Sequence, residues 1–190
     1  MGNDTPSAWV RRFVPLIRAG GRVLDLAAGT GRHTGLLLDM GFLVTAVDRD
    51  IAPLQAFSGV RCEIRAIDLE SDAPESAWAP LGGGYDGIIV TNYLHRPLFA
   101  PIAAALTPGG VLVYETFAAG NERFGRPRHP DFLLRPGELP EAFAALTIVA
   151  FEQGEISRPR PSIIQRIAAV AGPLGRLPEA VALDKPAAAD

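Results

Sequence analysis

The sequence predicts a single α/β domain built on an open, doubly wound, mainly parallel sheet. Apolar strand-like runs alternate with helical segments over most of its 190 residues, which is the order of βα units in a parallel sheet. Several of these runs are almost continuously apolar, as expected of strands covered on both faces. Two longer extended runs then predict an antiparallel hairpin near the C-terminus.

The first helical segment follows Thr5–Pro6, a favourable helix start. Pro15 should kink or end this helix, because proline lacks the backbone N–H that a helix interior needs. The helix is amphipathic, with an apolar stripe of Trp9, Val10, Phe13, Val14 and Ile17 opposite Arg11, Arg12 and Arg18.

Seven strands and three further helices follow. The predicted strands are Arg22–Leu26, Leu43–Val47, Arg61–Ala66, Gly87–Val90, Val111–Thr116, Thr147–Gln153 and Ser162–Val170. The predicted helices are His33–Met40, Ile51–Phe57 and Pro97–Leu106. Residues 173–190, rich in Ala and Pro, are expected to form a flexible tail after a domain of residues 1–172. In such a sheet, ligands bind at the carboxyl ends of strands where the strand order reverses.

The turn after the first strand carries the most informative motif, VLDLAAGTGRHT at Val23–Thr34. Gly29 and Gly31 let the backbone approach a ligand that a Cβ would block. Asp25 ends the strand, and a carboxylate there opposes the pyrophosphate of a dinucleotide. Thr34 also replaces the third glycine of a dinucleotide fingerprint. A cationic ligand fits better, such as S-adenosylmethionine (SAM), which carries an ammonium and a sulfonium group.

This motif resembles the glycine loop of class I SAM-dependent methyltransferases, acidic-x-G-x-G-x-G, with Ala27 as a familiar variant at the first glycine. The resemblance implies a Rossmann-like fold with a C-terminal antiparallel hairpin. It also implies that Ala27, Gly29 and Gly31 lie against the cofactor while Asp25 orders its methionine end. A structural glycine turn in another α/β protein is the alternative.

A second acidic residue supports the same cofactor. Asp48 ends the second strand, where a carboxylate can accept hydrogen bonds from both ribose hydroxyls of an adenosine. Dinucleotide-binding folds also place an acid there, so Asp48 alone does not separate the two. The alternative is that Asp48 or Asp50 caps the next helix, for which Asp50 is the better candidate.

By the resemblance, Asp68 and Leu69 after the third strand occupy the positions that contact the adenine amino group and ring. A solvated loop over Leu69–Pro80 explains the same residues nearly as well. The sequence therefore leaves both interpretations open for this segment.

The fourth strand leads into Thr91–Arg96, where the site chemistry should begin. The backbone around Asn92 and Tyr93 is expected to hold the methionine moiety. His95 should face the acceptor and take a proton from it, with Tyr93 as an aromatic wall or a hydroxyl donor. Alternatively, His95 caps the helix beginning at Pro97. Tyr93 stands where amino-methylating enzymes of DNA have prolines, which argues against base methylation.

A long loop, Ala118–Arg135, follows the fifth strand, whose end carries Glu115 as a further catalytic candidate. Loops of this length in compact domains are often lids or binding loops. The residues expected to bind an anionic or aromatic acceptor are Arg96, Arg123, Arg126 and His129. A solvated loop with arginines paired to Glu122 and Asp131 is the alternative.

Over most of residues 20–150 the chain resembles small bacterial tellurite-resistance-type methyltransferases.

Composition bounds the remaining possibilities. A net charge of −3 gives no general attraction to nucleic acid or anionic membranes. No apolar run approaches the roughly 18 residues of a membrane span, and the first residues contain no apolar signal segment. The sequence therefore predicts a soluble, cytoplasmic protein. Cys62 is expected to be a buried structural thiol, and no metal is expected, because Cys62 and the three histidines lack ligand spacing.

These features predict in-line transfer of a methyl group from SAM to a small-molecule acceptor. His95 is the first candidate base, with Tyr93 and Glu115 behind it. Two alternatives remain open: a SAM-binding module without catalysis, and a nicotinamide-dependent oxidoreductase. The second leaves Asp25 and the missing glycine unexplained.

Overall fold

A seven-stranded sheet forms the centre of the computed structural model, which describes residues 5–70, 77–173 and 181. Its strands are β1 (Arg22–Leu26), β2 (Leu43–Asp48), β3 (Cys62–Ala66), β4 (Tyr85–Thr91), β5 (Leu106–Phe117), β6 (Thr147–Ile156) and β7 (Ser162–Val170). The described helices are α1 (Ala8–Phe13), α2 (Arg32–Asp39), α3 (Phe99–Ala104) and α4 (Glu138–Ala142). Described 3₁₀ turns cover Val14–Leu16, Ala52–Phe57, Arg96–Leu98, Asn121–Arg123 and Pro130–Phe132.

The strand order is β3-β2-β1-β4-β5-β7-β6. Strand β1 pairs in parallel with both β2 and β4, while β7 is antiparallel to β5 and β6. The predicted mainly parallel sheet with a terminal hairpin is therefore confirmed. Because the order reverses between β1 and β4, the segments that follow these two strands meet at one edge of the sheet.

Two predicted helices differ from the structure in type or extent. The helix predicted over Ile51–Phe57 is a 3₁₀ turn at Ala52–Phe57. This segment is too short to gain much from α-helical hydrogen bonding. The helix predicted over Pro97–Leu106 begins as a 3₁₀ turn at Arg96–Leu98, which has a proline in its first positions. Helix α3 follows this turn and ends at Ala104. Leu106 already pairs with Tyr85, so the chain has entered β5 there.

The core lies on both faces of the sheet. One cluster contains Leu24 and Leu26, and the other contains Val23 together with Trp9 and Phe13 of α1. Since side chains alternate along a strand, Asp25 points to the face of Val23. Of the tail predicted for residues 173–190, only residues 173 and 181 are described; residue 181 is a valine that has no exposed surface and belongs to the second cluster.

Ser7 ties the N-terminal segment to the carboxyl edge of the sheet. Its hydroxyl oxygen accepts a hydrogen bond from the backbone N–H of Trp9 (3.1 Å) and so caps α1, which begins after Ser7 rather than at Thr5–Pro6. The same hydroxyl donates to Oε1 of Glu115 (2.9 Å), and the Ser7 N–H donates to Nε2 of His33 (3.1 Å).

We expect Ser7→Ala to lower the free energy of unfolding by about 1–2 kcal/mol, because it removes both the helix cap and the donor to Glu115. Urea denaturation measures this loss. Ser7→Thr keeps the hydroxyl and should remain within about 0.5 kcal/mol of the unaltered protein. Equal losses in the two variants would show that the hydroxyl contributes nothing.

Candidate functional site

A cleft of about 210 Å³ opens at the carboxyl edge of the sheet. Its described lining consists of Ala27, Asp48, Arg49, Ile67, Asp68, Leu69, Glu70 and Tyr93. These residues follow or end β1, β2, β3 and β4, so the topology brings Ala27, Asp48, Asp68 and Leu69 together as the cofactor prediction requires. A larger groove of about 510 Å³ lies along β2 and β3 and contains none of the predicted site residues.

The loop after β1 has a left-handed backbone at Ala27, Gly29 and Gly31, with φ of 56°, 57° and 80°. A Cβ added at Gly29 would meet no atom within 4 Å, so that side of the loop faces open space. At Gly31, by contrast, a Cβ would overlap the Phe57 ring. Gly29 therefore leaves room for a ligand, whereas Gly31 is required by packing within the protein.

Asp48 joins the end of β2 to this loop. Its Oδ2 accepts a hydrogen bond from the Gly29 N–H (2.8 Å), and its Oδ1 accepts one from the Asp50 N–H (3.0 Å). Each carboxylate oxygen has a further lone pair available to a ligand. Asp50 performs the capping role considered for it, because its Oδ1 accepts from the Ala52 N–H (3.1 Å).

Asp68 and Leu69 line the cleft just after β3. Asp68 is exposed, and its Oδ1 accepts a hydrogen bond from the Glu70 N–H (3.1 Å), which fixes the turn after β3. Leu69 is 5% exposed and belongs to the first core cluster. The cleft therefore has a polar side at Asp68 and an apolar side at Leu69.

Asp25 is a buried carboxylate in β1, with 2% of its surface exposed. The Thr34 hydroxyl donates to its Oδ2 at 2.6 Å, so the residue that replaces the third glycine holds the acidic one. Burial raises the pKa of Asp25 to about 6 despite this hydrogen bond. A bound cation beside Asp25 would stabilise its ionised form.

The segment after β4 contains two buried polar atoms that lack hydrogen-bond partners in the described part of the chain, Oη of Tyr93 and Nε2 of His95. Asn92 has a left-handed backbone (φ 56°), and its N–H donates to the Glu115 carbonyl (2.9 Å). His95 stands at the N-cap position of the 3₁₀ turn, yet its side chain makes no capping hydrogen bond. Within the described ranges, Nε2 of its imidazole is therefore not committed to another group of the protein.

Tyr93 does not suit the role of a base. Burial and the carboxylates of Glu70, Asp68 and Asp48 raise the pKa of its hydroxyl well above the usual value. The hydroxyl therefore stays protonated at neutral pH and is available as a hydrogen-bond donor.

Glu115 is held by the protein itself. It accepts a hydrogen bond from Ser7 through Oε1, and its Oε2 lies 3.3 Å from Nη1 of Arg166. Arg166 also donates to Glu152 and stacks over the Trp9 ring, with its Cζ 4.6 Å from the ring centroid. Glu115 thus anchors the N-terminal segment on β5 and β7.

His33 lies in the glycine motif and contacts Thr91 at the end of β4, and the sequence predicted no role for it. Its Nε2 accepts the Ser7 N–H, so its proton lies on Nδ1, 3.3 Å from the Thr91 hydroxyl. Burial, with Arg32 and Arg11 nearby, lowers the pKa of His33 to about 3, and the ring stays neutral. Its position in the glycine motif was the only available signal, because nothing in the sequence indicates its contact with Ser7.

Arg96, predicted to bind the acceptor, binds the protein. Its Nε and Nη2 donate to the two carboxylate oxygens of Glu138 (2.6 and 3.0 Å). Its Nη1 and Nη2 also donate to the carbonyls of Asp131 and Leu133 (2.7 and 2.9 Å). Glu138 is 3% exposed, so its ion pair with Arg96 is largely buried. The bonds from Arg96 to the two carbonyls hold the loop 118–135 against the turn that follows His95.

The remaining acceptor candidates lie on the exposed surface of the same loop. Arg123 donates to the Gly120 carbonyl (3.1 Å) and lies 3.8 Å from Glu155. Arg126 is exposed, and Nδ1 of His129 lies 3.4 Å from Oδ2 of Asp131. None of the three lines the described part of the cleft. The exposed rings of Phe124 and Phe132 lie on the same loop.

Comparison with known proteins agrees with this geometry. A family model described as a methyltransferase domain matches residues 3–172. The chain belongs to this methyltransferase family. At the level of the family, this confirms the resemblance and the fold.

Individual relatives vary in length and substrate. Rabbit (Oryctolagus cuniculus) glycine N-methyltransferase is 31% identical over 121 residues, 50% of this chain and 40% of that protein. TehB of Haemophilus influenzae superposes with a TM-score of 0.65 at 17% identity, covering 83% of this chain and 59% of TehB. The chain thus spans less than two thirds of either protein.

A third relative was crystallised with ligands. The 1,6-didemethyltoxoflavin-N1-methyltransferase of Burkholderia thailandensis is 26% identical, with a TM-score of 0.61 over 87% of this chain and 77% of its own. Its crystals hold 1,6-didemethyltoxoflavin and S-adenosylhomocysteine.

In the described part of the present chain, no helix has the length and apolar character needed to span a membrane.

We expect Asp25→Asn to stabilise the ligand-free protein at about pH 8 by up to about 3 kcal/mol. The folded state keeps the Asp25 proton up to a pKa of about 6, whereas the usual value is 3.8. Stability attributable to Asp25 is therefore full at low pH and is lost as pH rises through this interval. Denaturation of both proteins at several pH values measures the effect. A gain as large at about pH 4 as at about pH 8 would exclude ionisation as its cause.

Proposed function

We propose that this chain is a SAM-dependent methyltransferase that acts on a small-molecule acceptor by in-line displacement. The observation that carries this proposal is a cleft lined by Asp48, Asp68 and Tyr93, together with a glycine loop that is open at Gly29. Membership of the methyltransferase family supports it.

The residues present fit this cofactor. A Cβ-free surface at Gly29 gives the backbone close access to a ligand. Asp48 and Asp68 offer acceptor oxygens suited to ribose hydroxyls and an adenine amino group, and Leu69 offers an apolar surface. The buried carboxylate of Asp25 suits an ammonium group, because a cation there offsets the cost of a buried negative charge.

When bound, SAM supplies a methyl group activated by its sulfonium. The protein must then hold the acceptor in line, and such positioning contributes roughly 7–11 kcal/mol to lowering a barrier. We assign His95 to the proton of an acceptor that arrives protonated, because its Nε2 is buried and unpartnered. We assign Glu115 and His33 to holding the N-terminal segment against the site, which limits the access of water.

Our proposal for the chemical class of the acceptor rests on the loop 118–135. Exposed arginines and two exposed phenylalanine rings on the loop 118–135 favour an anionic or aromatic acceptor. Arg123 and Arg126 are the side chains best placed for this role, since Arg96 is bound to Glu138. His129 is also exposed on this loop.

Neither alternative function gains support. A non-catalytic SAM-binding module would be favoured by a loop packed into the cleft, yet no residue of 118–135 lines its described part. A nicotinamide-dependent enzyme requires a phosphate-binding loop. In this chain that loop lies beside a buried carboxylate bound by Thr34.

Calorimetric titration with SAM, S-adenosylhomocysteine and NADH tests the cofactor. We expect the first two alone to bind, and Asp48→Ala to weaken them by roughly ten- to several-hundredfold through the loss of charged hydrogen bonds. Asp50→Ala is the matched control, since Asp50 caps the following turn and should leave affinity nearly unchanged. NADH binding, or folded protein that binds neither SAM nor its product, would contradict the proposal.

We expect His95→Ala to lower kcat by about 10²–10⁴-fold for a hydroxyl or thiol acceptor, because the general base is lost. The Kd for SAM should change less than about twofold. Acceptors identified by screening allow both to be measured across pH. If the rate of His95→Ala matches that of the unaltered protein at every pH, the role assigned to His95 is wrong.

A further inference from the structure

Tyr93 combines two properties that no other described residue shares. It lines the cleft with Asp48, Asp68 and Leu69, and its hydroxyl oxygen is buried without a hydrogen-bond partner among the described residues. His95 also carries an unpartnered nitrogen but does not line the described cleft. A buried hydroxyl that lacks a partner destabilises the structure that contains it, so its place in a ligand cleft requires an explanation.

The backbone fixes where this side chain stands. The Tyr114 hydroxyl donates to the Tyr93 carbonyl at 3.0 Å, and the left-handed turn at Asn92 immediately precedes Tyr93. The Tyr93 ring packs against the first core cluster. The fold therefore holds the backbone of Tyr93 at the cleft and its ring against the core.

The surroundings determine what the hydroxyl can do there. Asp48, Asp68 and Glu70 line the same cleft, with Arg49 as its one described cationic residue. Carboxylates only accept hydrogen bonds, whereas a protonated phenol donates one. This set is complementary to an uncharged nucleoside, whose hydroxyl and amino groups donate to carboxylates while its ring nitrogens and ether oxygen accept.

We propose that Tyr93 recognises the nucleoside part of the cofactor, donating its phenolic proton to an acceptor atom of the adenosine. This inference rests on the proposed function and replaces the catalytic role predicted for Tyr93. It also assigns the carboxylates around Tyr93 to the rejection of phosphorylated nucleosides, because a phosphate there would meet like charges.

Tyr93→Phe tests this inference, with adenosine and S-adenosylhomocysteine as probes in calorimetric titrations. We expect both to bind roughly three- to tenfold more weakly, the cost of one lost hydrogen bond. The melting temperature of the ligand-free variant should be unchanged or higher, because the substitution removes an unpartnered buried polar group.

Tyr85→Phe is the matched control. The Tyr85 hydroxyl donates to the Leu81 carbonyl at 2.9 Å, and Tyr85 does not line the described cleft. Its removal should lower the melting temperature and leave both affinities unchanged, the opposite of the result for Tyr93→Phe.

The outcomes separate this inference from the proposed function. If the unaltered protein binds neither probe, both fail. If it binds both and Tyr93→Phe binds them equally well, Tyr93 makes no such contact and the proposed function stands. A loss confined to S-adenosylhomocysteine would place Tyr93 at the amino-acid part and also overturn the inference.

Discussion

The parallel pairing of β1 with both β2 and β4 is the constraint on which the site depends. It places the ends of these strands side by side, so the glycine loop, Asp48 and the Asn92–Arg96 segment meet at one edge. The hydrogen bond from the Gly29 N–H to Asp48 then joins the loop to β2. Without this topology the same residues would remain scattered along the chain.

The site carries negative charge that the ligand-free protein offsets poorly. Asp25 is buried with a hydroxyl rather than a cation as its side-chain partner, and its pKa rises to about 6 because of burial. Three further carboxylates line the cleft against one described arginine. Functional sites commonly sacrifice stability in this way, because charge that suits a ligand is unfavourable in its absence.

Several residues whose side chains could bind a ligand or take part in catalysis instead hold segments of the protein together. Glu115 binds Ser7 and Arg166, and Arg96 binds the buried Glu138. These contacts join segments more than 40 residues apart in the chain. Sequence spacing indicates which side chains can bind a ligand, but not which are already satisfied by a distant partner.

The sequence by itself determined the order of strands and helices, the family, and the residues at strand ends, because periodicity and the glycine motif are local patterns. In this way the sequence predicted that Ala27, Asp48, Asp68 and Leu69 stand at neighbouring strand ends, and they line one cleft. Only the tertiary structure decided that Gly31 packs on Phe57, that His33 contacts Ser7, and that Arg96 and Glu115 are bound within the protein. The physical reason is that burial and hydrogen-bond satisfaction depend on groups distant in the chain, whereas propensity and spacing depend on near neighbours.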